Sequence, residues 1–137
     1  MLEPVIITGA CYQDDRGELR YNNNFDVSSV KRIYLIQNTE SNPVRGWQGH
    51  KVEQRWFVAV NGVFEINVVG LENWDSSKPD LPVKKFKITQ EQLDVLYVPP
   101  GFATAIRSLA PGSTLLAMSD YRIGEIVDDY RFPLSEE

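Results

Sequence analysis

The stretch VRGWQGHKVEQRWFVAVNGVFEINV, residues 44–68, decides how this chain is read. From Trp56 onward it is apolar and β-branched with a period near two, broken only at Asn61-Gly62, so it reads as strand, tight turn and strand. The same period recurs in KRIYLIQN (31–38), DVLYVP (94–99) and STLLAMSDY (113–121). Turn residues punctuate the intervals: DDRGE (14–18), SNPVRG (41–46), SSKPDLP (76–82), PPG (99–101) and APGS (110–113). Only TQEQL (89–93) has a helical look, one turn with Thr89 as its cap. These spacings predict an all-β, antiparallel sandwich or barrel.

The chain of 137 residues is expected to form a single domain, 1–137, with a proper core. Its net charge of -5 and lack of a Lys/Arg-rich run exclude a main role in binding nucleic acid. One cysteine, Cys11, forbids an internal disulfide. With no apolar run near the roughly 20 residues that a membrane span needs, and no leader pattern at Met1, the expected location is the cytoplasm, away from the membrane.

Continuous alternation from Gly46 predicts Gln48, His50, Val52, Gln54 and Trp56 on one face and Lys51, Glu53, Arg55 and Phe57 on the other. A row of Gln, His and Gln suits a wet or ligand-filled cavity, because burying such groups unpaired costs roughly 1–3 kcal/mol each. By the same rule Arg32, Tyr34, Ile36 and Asn38 share a face, and Tyr34 reaches the same cavity if its strand borders that of His50. Arg45, beside the small Gly46, suits a rim cation for a phosphate, with an ion pair to Glu53 as the plain alternative. His50 is the only histidine, and an isolated histidine on a strand is as often a wall residue as a base. Trp47, Trp56 and Trp74 read as packing residues.

Taken in order, DDRGEL (14–19), VRGWQGHK (44–51), LDVLYVPPGFATAI (93–106) and SDYRIGEIVDDYRF (119–132) resemble the cupin-type enzymes that act on nucleotide-linked 4-keto-6-deoxy sugars. The resemblance spans nearly the whole chain. It implies an antiparallel double-stranded β-helix, the RmlC-like cupin jelly roll, paired as a homodimer. Phe57 and Ala59 would suit the dimer interface, or pack under the second sheet. Two branches share these motifs: the 3,5-epimerases of the rhamnose precursor, and the sugar 3,4-ketoisomerases, which are WxcM-like. Arg45, Gly46, His50 and Lys51 fit the ketoisomerase pattern Arg-Gly-x-His-x-His-Lys, and IVDDYRF (126–132) is similar to the ketoisomerase end.

Two departures stand out. Gln48 replaces the first histidine of that pattern, and Thr104 stands where the epimerases carry a second histidine. The acid tyrosine of the epimerases falls at Tyr121 or at its neighbour Arg122. The resemblance makes Arg16 a phosphate contact. Metal-binding cupins need several histidines and a carboxylate, whereas here Gln48, Gln54 and Thr104 surround a lone His50 and alternation turns Glu53 away, so neither metal nor other cofactor is expected.

Epimerisation asks for a base and an acid on opposite faces of the sugar. A 3,4-ketoisomerisation passes through a cis-enediol, in which one imidazole can lift a proton from C3 and return it to C4 on the same side. The expected activity is therefore isomerisation of a dTDP-4-keto-6-deoxyhexose for polysaccharide or glycoconjugate synthesis. In that reading His50 shuttles the proton, Tyr34 and Tyr121 are the acid candidates, and Arg45, Gln48, Arg16, Gln54, Asn38 and Lys51 bind the dTDP-hexose. The alternatives are a 3,5-epimerase-like enzyme and a sugar-nucleotide-binding cupin domain without catalysis.

Overall fold

The computed structural model describes residues 2–37, 44–71 and 82–132. Its strands are β1 (Val5–Ile7), β2 (Ala10–Asp14), β3 (Gly17–Tyr21), β4 (Arg32–Gln37), β5 (Val44–His50) and β6 (Arg55–Asn61). After these come β7 (Val63–Gly70), β8 (Val83–Thr89), β9 (Val95–Val98), β10 (Phe102–Ser108), β11 (Thr114–Ser119) and β12 (Tyr130–Phe132). They form two five-stranded sheets, ordered β1-β9-β6-β11-β4 and β12-β5-β10-β7-β8, with the β2/β3 hairpin apart from both. Every pairing is antiparallel. The expected all-β jelly roll is the observed architecture. No helix among the described residues is long and apolar enough to cross a membrane.

Alternation explains the core. On β7, Phe64, Ile66 and Val68 point inward and are at most 1% exposed, and they meet Phe57, Leu96 and Leu115 of the other sheet. Burying each such side chain contributes about 1.5–3 kcal/mol. Phe57 and Ala59 lie in this core, so of the two places open to them the structure gives the space between the sheets and not an exposed interface. Parts of the outer faces are covered too, while Ile33 and Leu35 of β4 stay exposed. Trp56, Val58 and Met118 pack under Phe25 and Val30, while Trp47 packs with Phe132, its direct partner across the β5/β12 pairing.

Two local expectations change. Asn61-Gly62 is not a hairpin, because β6 pairs with β11 and β9 while β7 pairs with β10 and β8. The turn is a corner that carries the chain from one sheet to the other. Gly62 is required there: its φ is +83°, and a Cβ would lie 2.0 Å from Ser113 Oγ. TQEQL is a turn and not a helix, with Thr89 Oγ1 accepting from the Glu91 amide at 3.4 Å. The one helical turn among the described residues is a 3-10 turn at Val27–Ser29, capped by the Asp26 carboxylate, which accepts from the Ser28 amide.

Candidate active site

The strand that begins at Val44 stops at His50, and the next begins at Arg55. Between them the backbone wraps the Asp128 carboxylate. Its Oδ1 accepts from the Lys51 amide at 2.9 Å, and its Oδ2 accepts from the amides of Val52 and Glu53 at 2.9 and 2.8 Å. These three bonds, with that of the Gln54 amide to Asp120 at 2.8 Å, hold four residues out of strand geometry, so alternation does not carry through the stretch. Arg55 and Phe57 consequently line one cavity with Gln48, and Trp56 faces out, the reverse of the sequence expectation; His50 is not a lining residue and meets the cavity through Arg55.

His50 is buried at 6% exposure, and its partners fix its tautomer. Nδ1 lies 2.7 Å from the Asp128 carbonyl oxygen, an atom that only accepts, so Nδ1 must donate. The Glu53 carboxylate lies on the same nitrogen, with Oε2 at 3.0 Å. Glu53 was expected on the opposite face, and the broken strand brings it back. Its other oxygen accepts from the Ser119 hydroxyl and faces Arg32 at 3.7 Å. Nε2 therefore holds the free lone pair of neutral imidazole, and it accepts from Nη1 of Arg55 at 2.5 Å.

Arg55 lines a cavity of about 420 Å³ together with Tyr34, Arg45, Gln48, Thr104 and Arg131. That size suits a small-molecule site. Tyr34 comes from β4, an edge strand of the opposite sheet, so it faces the β5 residues across the interior and does not border their strand. Its ring underlies two guanidinium groups, with Arg32 Cζ at 5.2 Å and Arg55 Cζ at 5.5 Å from the ring centre. Arg45 arrives by a β-bulge. Gln48 pairs with Thr104 and Arg45 with Ile106, so three steps on β5 oppose two on β10 and Arg45 turns to the inner face. It makes no ion pair with Glu53, whose oxygens are taken by His50, Ser119 and Arg32. Arg131 sits opposite Gln48 on β12, and Gln48 donates to Asp129 at 2.9 Å.

The other expected residues lie elsewhere. Gln54 donates to Asp120 at 3.0 Å and accepts from Tyr97 at 2.5 Å, which ties the connection to β9 and to the segment after β11. Lys51 is exposed with Nζ 4.9 Å from the Tyr130 ring centre. Arg16 is at the tip of the β2/β3 hairpin, its side chain 85% exposed and paired with Asp14 at 2.7 Å. Tyr121 is half-buried beyond the end of β11, where strand parity no longer applies, and neither it nor the exposed Arg122 lines the cavity. Asn38 lies outside the described residues, as does Trp74. Arg55, Glu53, Asp128 and Arg131 were not singled out, although IVDDYRF carried two of them.

Electrostatics follow from this packing. Burial, and then the nearby Arg32, lower the Arg55 pKa to about 10. Partial burial pushes the Asp129 carboxyl up, but hydrogen bonds from Gln48 and Arg131 outweigh it and hold the group below the usual carboxylate range. His50, Glu53 and Asp128 also bring three potential metal-ligand atoms within 4.8 Å of one another. Yet Nδ1 carries the proton, and both Asp128 oxygens already accept backbone hydrogens. The donor set is built to orient the imidazole and fits a cation poorly.

The family model described as FdtA: WxcM-like, C-terminal matches residues 5–132. Among curated proteins none matches the chain. The fold is similar to that of a mutant 3,4-ketoisomerase, QdtA, from Thermoanaerobacterium thermosaccharolyticum in complex with TDP-4-keto-6-deoxyglucose, at 20% identity and a TM-score of 0.72, covering 96% of this chain and 89% of that one. A dTDP-4-dehydrorhamnose 3,5-epimerase from Bacillus anthracis with TDP and PPi bound is similar at 17% identity and a TM-score of 0.73, covering 93% and 77%. The WlaRB TDP-quinovose 3,4-ketoisomerase from Campylobacter jejuni is similar at 19% identity and a TM-score of 0.65, covering 96% and 94%. At these identities the likeness establishes the shared cupin fold.

Proposed function

The chain belongs to the FdtA, WxcM-like C-terminal family, and from that premise we propose that it isomerises a dTDP-4-keto-6-deoxyhexose by 3,4-ketoisomerisation. The observation that carries the reading is the imidazole of His50, oriented through Nδ1 by Asp128 and Glu53 and presenting its Nε2 lone pair to a cavity-lining side chain. Solved folds similar to this one include enzymes crystallised with TDP or a TDP-sugar, which supports a nucleotide sugar as ligand. Nε2 takes the proton from C3 and returns it to C4 on the same side of the ring. Tyr34, at the cavity wall, donates to the developing enediolate. Arg45 and Arg131 meet the diphosphate. A homodimer belongs to the same reading.

One observation favours a second reading, a nucleotide-sugar-binding domain without turnover. Gln48 and Thr104, neither of which can serve as a base near neutrality, face the cavity together, and Arg55 stands on the lone pair of His50. Proton NMR of dTDP-4-keto-6-deoxyglucose in D2O, with the wild-type chain and with His50→Asn, separates the two. A 3-keto product that vanishes with the variant is the expected result. Deuterium at both C3 and C5 would move the chain to the epimerases, and binding without product or exchange would leave the binding domain.

A further inference from the structure

Arg55 is a charge that the fold leaves without a direct counter-ion: Asp129 and Asp120 favour its charged form from a distance, but burial and Arg32 outweigh them. Arg55 is 5% exposed, and among the described residues its hydrogen-bond partner is a neutral imidazole nitrogen and no carboxylate pairs with it. Its Nε is buried without a partner, as is the Nε of Arg32, the other guanidinium beside the Tyr34 ring. No aspartate or glutamate stands among the cavity-lining residues. Burying a guanidinium in this way costs several kcal/mol unless something anionic meets it. The same group blocks the one lone pair that His50 offers. While Arg55 stays there the imidazole can take no proton from a ligand.

We propose that the floor of the cavity is an anion-binding site built on Arg55, whose guanidinium leaves Nε2 of His50 for a planar pair of oxygens that share a negative charge on the ligand. This rests on the cavity being a ligand site. The guanidinium fork matches such a pair, and the unpartnered Nε supplies its second donor. Arrival of the anion thus satisfies the buried cation and frees the base in one movement. Two chemical sources carry the required oxygens: a carboxylate borne by the sugar, and a free small carboxylate; an enediolate does not qualify, because it forms only after His50 has taken its proton. The site is separate from the outer cations Arg45 and Arg131, which remain for the diphosphate.

The single histidine makes the test direct, because 15N-histidine labelling yields one imidazole. Three probes are added in turn: oxalate alone, dTDP-glucose and dTDP-glucuronic acid. Oxalate is expected to move the Nε2 signal toward that of an unbonded lone pair, and dTDP-glucose to leave it in place. Arg55→Gln should abolish the oxalate response, and Arg55→Lys, which keeps the charge and loses the fork, should weaken it. A preference of about tenfold or more for dTDP-glucuronic acid over dTDP-glucose, lost in Arg55→Gln, assigns the oxygens to a carboxylate on the sugar. An oxalate response without that preference assigns them to a free small carboxylate. A silent Nε2 with both anionic probes, or a full response in Arg55→Gln, overturns the proposal. Oxalate needs no nucleotide, so a chain that ignores both dTDP-sugars and still answers oxalate would refute the nucleotide-sugar reading while upholding the floor site.

Discussion

Oε2 of Glu53 lies 3.0 Å from Nδ1 of His50, across a connection held open by the Asp128 carboxylate. With the Asp128 carbonyl on the same nitrogen, this contact fixes the ring plane and the tautomer. Glu53 does not line the cavity, so its influence on the proposed chemistry passes through the imidazole. Glu53→Gln is expected to lower kcat by about 10–100-fold with little change in KM. Glu53→Asp should recover part of the loss. A KM effect alone would show that Glu53 only shapes the cavity.

Asp128 is the structural pivot of the site. Asp128→Ala leaves three backbone amides without their acceptor, one of them on the buried Glu53, and should cost about 2–4 kcal/mol in urea unfolding. Asp128→Asn keeps one accepting oxygen and should fall between the two. An unchanged unfolding midpoint for the alanine variant would mean that water replaces all three bonds.

Arg55 weakens the fold that holds it. Its pKa stands at about 10, below the usual arginine value, so folding disfavours the charged form. The penalty is fully present below pH 10 and is relieved as pH rises through that value. Arg55→Met should therefore unfold at a higher temperature near neutral pH, by the equivalent of about 1–3 kcal/mol. A lower melting temperature would show that stacking on Tyr34 and Phe57 outweighs the burial penalty.

Asp129 gives the opposite sign. Its folded pKa is depressed, so its contribution to stability is present above the unfolded value of about 4 and lost as pH falls through the lower folded value. Thermal melts between neutral pH and strong acid should show this loss in the wild-type chain. In Asp129→Asn that part of the acid sensitivity should be missing. Gln48→Ala, which removes the 2.9 Å hydrogen bond to Asp129, should move the loss toward higher pH.

Gln48→Ala also bears on how the site is reached from sequence. Gln48 and His50 could be assigned to one inner face because alternation within β5 is local and the strand runs unbroken between them. Tyr34 was legible for the same reason within β4, although the sheet it belongs to was not. Past His50 the rule failed for Glu53, Arg55 and Trp56, because the break is imposed by Asp128, distant in the chain, and no local pattern announces it. Arg45 reached the cavity by a bulge, another non-local event, so its role could be suspected from its neighbours and not from its parity.

The sequence alone determined that this chain is all β, that turns fall at DDRGE, PPG and APGS, and the cupin type of its barrel, since a period of two and the turn residues act over a few neighbours and the motifs run the length of the chain. SSKPDLP up to Leu81 and the start of SNPVRG lie outside the described residues, and the rest of SNPVRG is strand. Only the tertiary structure decided which strands pair, that Asn61-Gly62 joins two sheets, and that Glu53 and Arg55 close on the two nitrogens of His50. Those contacts are made by groups from different parts of the fold, and a buried carboxylate bridging 75 residues or more of chain leaves no periodic signal in the residues it organises.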